Sequence, residues 1–326
     1  MKSAVAAESG PAAPKRTATP ACTGTLGTLR IIAASVEGHH APDNEEPAMP
    51  IRDILLQLNS YPEPTPSWAV DAAAYMAERL GARLSIALCE VHLPDISNVL
   101  SQIVVRSRET IEGENHKSAQ NAAHLRRRFG EAVPSEAAGE MITIDCPALA
   151  TGWQLAARAR AYDLTVVPVY GDLETTSIAE ALIFESGRPV VLLPPEGLAG
   201  HRFDDVVIAW DGSRTAARAL AEAIPLCERA SSVTVVTVTN DKELAGTADA
   251  EDVVRHLARH GIRAMALETE LDGKNAGDAL NGYCRRIGAD LLVMGAYGHA
   301  RFREFVLGGA TRTVLADPAL PVLLAH

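Results

Sequence analysis

Residues 289–299 read ADLLVMGAYGH, in which an apolar run of strand length ends at Gly295 and a second glycine, Gly298, follows three residues later. A glycine pair, Gly308 and Gly309, then precedes ATRTVL, a segment typical of the start of a helix. A strand that leads through glycines into a helix predicts a loop lined by backbone amides, and free amides at a helix start favour phosphate binding. The spacing matches neither the P-loop nor the Rossmann fingerprint, so a purely structural turn is the competing interpretation.

The length and composition predict a globular protein of two domains. The chain has 326 residues, of which 47% are hydrophobic and 22% are charged. No apolar run approaches the roughly 18 residues that a transmembrane helix needs, so we expect a soluble, cytoplasmic protein. The formal net charge of −11 argues against nucleic-acid binding, because the neutralisation of phosphates needs a basic face.

The sequence predicts no metal site. Its five cysteines occur singly, without a C-x-x-C pair, and most are expected to be buried as small apolar residues. His256 and His260 are spaced i, i+4, as metal ligands can be, but no third ligand accompanies them. The arginines that flank them favour a solvated helix face instead.

The chain alternates strands and helices after a different N-terminal segment. Residues 1–48 are predicted to be a disordered extension, since only residues 28–34 could form a strand and one short strand cannot support a core. The following MPIRDILL has the character of a natural protein start, which makes Met49 the hypothetical initiator. Apolar strands then alternate with helices over residues 49–198 and again over 199–326, a pattern typical of parallel sheets covered on both faces.

Matching segments indicate that the second unit repeats the first. YDLTVV (162–167) parallels ADLLVM (289–294), and RPVVLL (188–193) parallels LPVLL (320–324). The predicted fold class is therefore α/β, with two tandem domains that each contain a five-stranded, mostly parallel sheet. Each unit ends in a short apolar strand at a sheet edge, and because unpaired edges invite pairing, we expect the two repeats to pair with each other.

From residue 51 onwards the chain resembles a tandem universal stress protein. The resemblance rests on VVIAWDGS (206–213), on DLLVM (290–294) and on the pattern Gly295-x2-Gly298-x9-Gly308. It implies two flavodoxin-like, adenine-nucleotide-binding-like domains and a regulatory or protective role in the stress response. It also implies an adenine nucleotide ligand (ATP, ADP or AMP, with Mg²⁺ for the triphosphate) and a homo-oligomer, in particular a dimer, with contacts through edge strands.

The resemblance assigns a candidate nucleotide site to the second unit. Asp211 matches the family acid that contacts the adenosine part of the nucleotide. A carboxylate suits this role, because it can accept hydrogen bonds from ribose hydroxyls or from the adenine amino group. Val238 matches an adenine-contacting position, and Met294 would line the base pocket. The ribose and phosphates would be enclosed by Gly295, Gly298, Gly308, Gly309 and Ala310.

Gly309 stands where ATP-binding members of the family have Ser, Thr or Asn. A glycine offers its backbone N–H but no hydroxyl to a phosphate or to Mg²⁺. The missing hydrogen bond is worth about 1.5–3 kcal/mol, so we expect weakened affinity. The hydroxyl of Thr311 is the candidate substitute.

The first unit departs from the family pattern at its corresponding site. Pro168 replaces the first glycine, Gly171 matches the second, and residues 172–177 carry acids without a later glycine pair. Asn59 stands near the position of Asp211. Carboxylates in this loop would repel phosphate, so no nucleotide is expected in the first unit.

Three functions follow from these observations. The first is a stress-response protein that binds an adenine nucleotide in its second unit. The alternative is a dimerisation or protein-interaction module without nucleotide, in which helix capping alone explains Asp211 and Ser213. The third is a slow nucleotide hydrolase; because the sequence shows no paired base and nucleophile, even for His299 in the glycine loop, we expect at most a weak ATPase.

Overall fold

The computed structural model describes residues 30–32, 51–94, 101–147, 152–170, 173–195, 202–239, 248–270, 275–297 and 309–326. Strand β1 (Arg30–Ile32) precedes the first repeat, which contains β2 (Asp53–Asn59), α1 (Ser67–Leu80), β3 (Arg83–Val91), α2 (Ser101–Ala132), β4 (Ala138–Cys146), α3 (Gly152–Ala159), β5 (Leu164–Pro168), α4 (Leu173–Glu185) and β6 (Val190–Leu193). The second repeat contains β7 (Asp205–Ala209), α5 (Arg214–Cys227), β8 (Ser232–Thr239), α6 (Ala250–Arg259), β9 (Ala264–Glu270), α7 (Ala276–Ile287), β10 (Leu291–Gly295), α8 (Gly309–Ala316) and β11 (Val322–Ala325).

The described strands form one sheet in the order β1-β9-β8-β7-β10-β11-β6-β5-β2-β3-β4. Within each repeat the five strands are parallel and have the order third, second, first, fourth, fifth. This arrangement confirms the predicted α/β class. Both repeats therefore place a switch in strand order between their first and fourth strands, where open parallel sheets commonly bind ligands.

The two halves meet through their last strands. β11 pairs antiparallel with β6, with Val322 opposite Leu192 and Leu324 opposite Val190. The four central residues are fully or almost fully buried, so this junction is part of the core. The structure thus shows the pairing between repeats that was expected from the two proline-led edge strands.

Successive strand residues point to opposite faces of the sheet and belong to two apolar clusters, one on each face. Leu56 and Ile208 belong to the cluster that packs beneath α1, α2, α5 and α6, whereas Leu55 and Val207 belong to the cluster beneath α3, α4, α7 and α8. This division follows from the period of two in a strand, and burial on both faces explains why the strands are continuously apolar. It also places α5 and α8 on opposite faces.

One aspartate before the fourth strand holds the start of the first strand in each repeat. Oδ2 of Asp163 accepts hydrogen bonds from the backbone N–H groups of Arg52 (2.9 Å) and Asp53 (3.1 Å). Oδ2 of Asp290 accepts the equivalent bonds from Asp204 (3.0 Å) and Asp205 (3.2 Å). The YDL and ADL segments are therefore similar because both supply a carboxylate at the same point of the sheet.

Strand β1 corrects the prediction that all of residues 1–48 are disordered. It pairs antiparallel with β9, with Arg30 opposite Glu268 and Ile32 opposite Ala266. One short strand cannot form a core of its own, but it can add to the edge of an existing sheet, where β9 offers unpaired backbone groups.

A disulfide between Cys89 and Cys146 was not predicted. The two residues lie 57 positions apart in sequence, yet they sit on the neighbouring strands β3 and β4 with their Cα atoms 6.0 Å apart. Cys227 and Cys284 are free and buried, as expected for small apolar residues.

Among the described residues, no helix combines the length and the apolar character that a membrane crossing requires.

Candidate functional site

The described candidate residues lie at the carboxyl ends of the second-repeat strands. Asp211 follows the end of β7 by two residues, Val238 is the penultimate residue of β8, and Met294 and Gly295 end β10. Helix α8 begins with the other three: Gly309, Ala310 and Thr311. Gly298 and Gly308 lie outside the described residues, as does His299.

Asp211 takes part in the turn that leads into α5. Its Oδ1 accepts a hydrogen bond from the backbone N–H of Ser213 (2.9 Å), and Gly212 between them has a left-handed φ of 72°. Ser213 then caps the helix, because its Oγ accepts from the N–H of Ala216 (3.1 Å). The capping role weighed in the sequence thus belongs to Ser213, while Asp211 orders the preceding turn and remains half-buried at the sheet edge.

Gly295 allows β10 to touch the first turn of α5. A Cβ at this position would lie 2.4 Å from both the backbone N of Ala216 and the carbonyl carbon of Thr215, and 2.7 Å from Oγ1 of Thr215. Carbon atoms in good contact are about 3.5–4.0 Å apart, so no side chain fits here without moving backbone. The glycine at this position is therefore required by the close approach of strand and helix.

Gly309 is different, because a Cβ there would have no heavy atom of the described residues within 4 Å. It is the first residue of α8, whose N-terminal N–H groups have no partners within the helix. The room at this position would accommodate a hydroxyl side chain such as the resemblance in the sequence leads us to expect here.

Thr311 and Tyr297 close the base of the glycine loop. The N–H of Tyr297 donates to Oγ1 of Thr311 (3.3 Å), and the two residues are only 4% and 3% exposed. Tyr297 has a left-handed φ of 58°, which is uncommon for a residue with a side chain. The Thr311 hydroxyl expected to face the ligand is thus engaged with the amide of Tyr297, a residue that the sequence reasoning did not select.

Tyr297 also reaches into the first repeat. Its phenol donates to Oε1 of Glu180 on α4 (3.2 Å), and its ring centroid lies 4.5 Å from that of Phe184. Burial, and then the Glu180 carboxylate, raise the pKa of Tyr297 well above its ordinary value, so the phenol keeps its proton at neutral pH.

Val238 and Met294 face the same side of the sheet. Both pack with the cluster beneath α7 and α8, Val238 half-buried at its margin and Met294 buried within it. Met294 is consequently a core residue whose edge alone could contribute to a base pocket.

The corresponding edge of the first repeat is filled by polar groups that bind one another. Nε2 of Gln57 donates to Oδ1 of Asn59 (2.7 Å), and the N–H of Asn59 donates to Oγ1 of Thr65 (2.8 Å). The hydroxyls of Ser60 and Ser118 lie 2.7 Å apart, and both can accept from the N–H of Val91. Because these groups are buried and paired with each other, a ligand would have to break existing hydrogen bonds to bind there.

The part of the chain that the structure describes contains no group of three His, Cys, Asp or Glu side chains that could hold a metal ion. The rings of His256 and His260 do meet, with centroids 4.9 Å apart, and burial lowers the pKa of His256. Burial also raises the thiol pKa of Cys227 and of Cys284 to about 12, which keeps both thiols protonated and poorly nucleophilic.

Comparison with known proteins places this geometry in a family context. A sequence model of the universal stress protein family matches residues 202–326. A universal stress protein of Synechocystis sp. is 34% identical over 149 residues, which are 44% of this chain and 49% of that protein, so the chain spans about half the length of this relative.

Two solved structures share the fold of this chain over most of its length, including both repeats. A universal stress protein from Archaeoglobus fulgidus superposes with a TM-score of 0.60 at 16% identity, covering 83% of this chain and 97% of its own. A structure from Pseudomonas aeruginosa UCBPP-PA14 superposes with a TM-score of 0.50 at 15% identity, covering 84% of this chain and 93% of its own.

Proposed function

We propose that this chain is a stress-response protein of the universal stress protein family, whose sequence model matches residues 202–326, and that it binds one adenine nucleotide in its second repeat. The proposed ligands are ATP, ADP or AMP, with Mg²⁺ accompanying the triphosphate. The site lies at the carboxyl ends of β7 and β10.

One observation carries the proposal. β10 ends at Gly295, which lies against the first turn of α5. On the opposite face α8 starts at Gly309, where a Cβ would meet no heavy atom of the described residues within 4 Å. The sheet order reverses at this point, since β7 leads to β8 on one side whereas β10 leads to β11 on the other. A crevice between oppositely placed helix N-termini is where doubly wound sheets bind ligands, and helix N-termini favour phosphate.

The proposed roles follow the resemblance noted in the sequence. Asp211 accepts hydrogen bonds from the ribose or the adenine amino group, and Val238 contributes apolar contact to the base. Met294 supports the base from the core. The ribose and phosphates are enclosed by Gly295, Gly298, Gly308, Gly309 and Ala310, while Thr311 fixes the base of the loop.

The first repeat is proposed to bind no nucleotide. Asn59 takes the place of Asp211, and its amide oxygen and backbone N–H are both occupied within the polar network described above. Pro168 ends β5 where Gly295 ends β10, so the backbone N–H at this position is also missing.

A second candidate function is a protein-interaction or dimerisation module, which the burial of Met294 and the engagement of Thr311 favour. The homodimer expected from the sequence stays a prediction. β6 and β11 already pair within the chain, so a second copy would need a different surface. A slow hydrolase activity is likewise still only a prediction.

The test is a search for nucleotide in two steps. The purified chain is first denatured, and the released small molecules are identified by mass spectrometry. ATP, ADP and AMP are then titrated by calorimetry into the wild type, into Asp211→Ala, and into the control Asp145→Ala, which removes an exposed first-repeat carboxylate. We expect binding to the wild type and the control but not to Asp211→Ala. No released nucleotide and no heat up to millimolar ligand would reject the proposal in favour of the interaction module.

A further inference from the structure

Tyr297 is the point where three parts of the molecule meet. It lies between the loop glycines Gly295 and Gly298, its N–H is bound to Thr311 at the far end of the loop, and its phenol is bound to Glu180 of the other repeat. Glu180 and Tyr297 are 117 positions apart in sequence. Tyr297, just after the end of β10, is therefore tied both to the start of α8 and to the first repeat.

The surroundings of Tyr297 fix the same segment further. The N–H of the preceding residue, Ala296, donates to the carbonyl oxygen of Ala325 (2.8 Å), and the carbonyl oxygen of Ala296 lies 3.0 Å from Nδ1 of His326. The ring of His326 in turn meets the edge of Phe184, with centroids 4.9 Å apart. A left-handed residue that is buried and held through its N–H, its hydroxyl and its ring is one whose conformation the surroundings dictate.

The helix position that holds Glu180 carries a different residue in the second repeat. Counted back from the matched prolines Pro189 and Pro321, the residue of α8 that corresponds to Glu180 is Arg312. A guanidinium donates hydrogen bonds but cannot accept one from a phenol. A carboxylate that can accept a hydrogen bond from a phenol is thus present at this position in α4 but not in α8.

We propose that α4 of the first repeat positions the two described flanks of the candidate site in the second repeat, the end of β10 and the start of α8, with Glu180 and Phe184 acting through Tyr297. This inference rests on the proposed nucleotide site and deepens it. In this arrangement the first repeat, whose own sheet edge is filled by paired polar groups, supports the site of the second repeat within the same chain. A strand end and a helix start that are already held in place lose less conformational entropy when a ligand binds between them, so the positioning contributes to affinity.

The variants are chosen to separate the hydrogen bond from general packing. Glu180→Ala removes the acceptor, Glu180→Gln keeps an acceptor oxygen, and Tyr297→Phe removes the donor. Glu185→Ala is the matched control on the same helix, because its side chain is exposed and the bonds from Arg160 use its backbone oxygen.

The first measurement is hydrogen exchange in the absence of ligand. Glu180→Ala and Tyr297→Phe should exchange about tenfold faster at the amides of residues 291–297 and 309–316, since a hydrogen bond to a charged group is lost. Glu180→Gln and Glu185→Ala should match the wild type. Unchanged exchange, or a loss of protection spread equally over both repeats, would overturn the positioning role whatever the nucleotide result.

The second measurement is calorimetric titration of ADP into the same variants. We expect affinity about tenfold weaker in Glu180→Ala and Tyr297→Phe, with Glu180→Gln within about twofold of the wild type. Equal affinity in Glu180→Ala and the wild type would overturn the inference while leaving the nucleotide site intact. A wild type that does not bind ADP would instead reject the proposed function, and the exchange result would still decide the positioning.

Discussion

Replacing Gly295 with alanine tests the contact on which the candidate site is built. The added methyl group would lie 2.4 Å from backbone atoms of Thr215 and Ala216, so β10 and the first turn of α5 must separate. A contact between carbon and backbone atoms needs about 1 Å more than this distance. No flexible side chain can yield the space, because two of the three nearest atoms belong to the helix backbone.

The expected loss of stability is about 3 kcal/mol, the upper end of the usual range for overpacking a core. Gly309→Ala is the matched control, since its methyl group meets no atom of the described part of the chain within 4 Å and alanine is the better helix former. Gly295→Ala should also lose nucleotide affinity, because the strand end and the helix start that flank the proposed site move apart.

Urea unfolding followed by circular dichroism gives the free energy of unfolding for each protein, and calorimetry gives the affinity. A Gly295→Ala protein within about 0.5 kcal/mol of the wild type would refute the reasoning, since surface changes alone stay within that range. A Gly309→Ala protein as unstable as Gly295→Ala would refute it as well, because the effect would then not come from the close approach of β10 to α5.

Three further predictions concern other parts of the chain. Gly309→Ser should raise nucleotide affinity by about one to two orders of magnitude in calorimetry, because it restores a hydroxyl where there is room; unchanged affinity would mean that the hydroxyl does not reach the phosphates. Cys146→Ser should lower the free energy of unfolding by up to about 4 kcal/mol relative to the oxidised wild type, the value for closing a loop between cysteines 57 positions apart, and a reduced wild type should behave like the variant. Burial, and then the neighbouring carboxylate of Asp163, raise the pKa of Asp53 above 3.8, so its ionised form destabilises the fold and this penalty grows as pH rises through that pKa. Asp53→Asn should therefore gain less than about 1 kcal/mol at pH 7 and nothing at pH 3, and an equal gain at both pH values would contradict this origin.

The fold could be predicted because the sequence patterns that indicate it lie within short, continuous segments of the chain. The apolar runs around Leu164 and Leu291 and the helices between strands follow directly from hydrophobic periodicity, and the ordered matches between the two halves anticipated the pairing of β6 with β11. The aspartate in YDL and ADL was visible as a match, although its role at the start of the neighbouring strand was not.

The features that were missed depend on contacts between distant positions. Nothing near Cys89 indicates that Cys146 lies on the adjacent strand, and nothing near Tyr297 indicates that Glu180 lies beside its hydroxyl. The β1 strand was missed for a related reason, because a three-residue strand has no core of its own and is stabilised by the edge of β9. For Gly295, the sequence suggested a ligand, whereas the structure shows that the approach of α5 already requires a glycine.

The central claim is that one adenine nucleotide binds per chain, in the second repeat. Native mass spectrometry of the whole protein with ADP counts the bound molecules directly, and Asp211→Ala identifies the repeat that holds them. We predict a single bound nucleotide in the wild type and none in Asp211→Ala. Two bound nucleotides would contradict the closed edge of the first repeat, and none in the wild type would contradict the site itself.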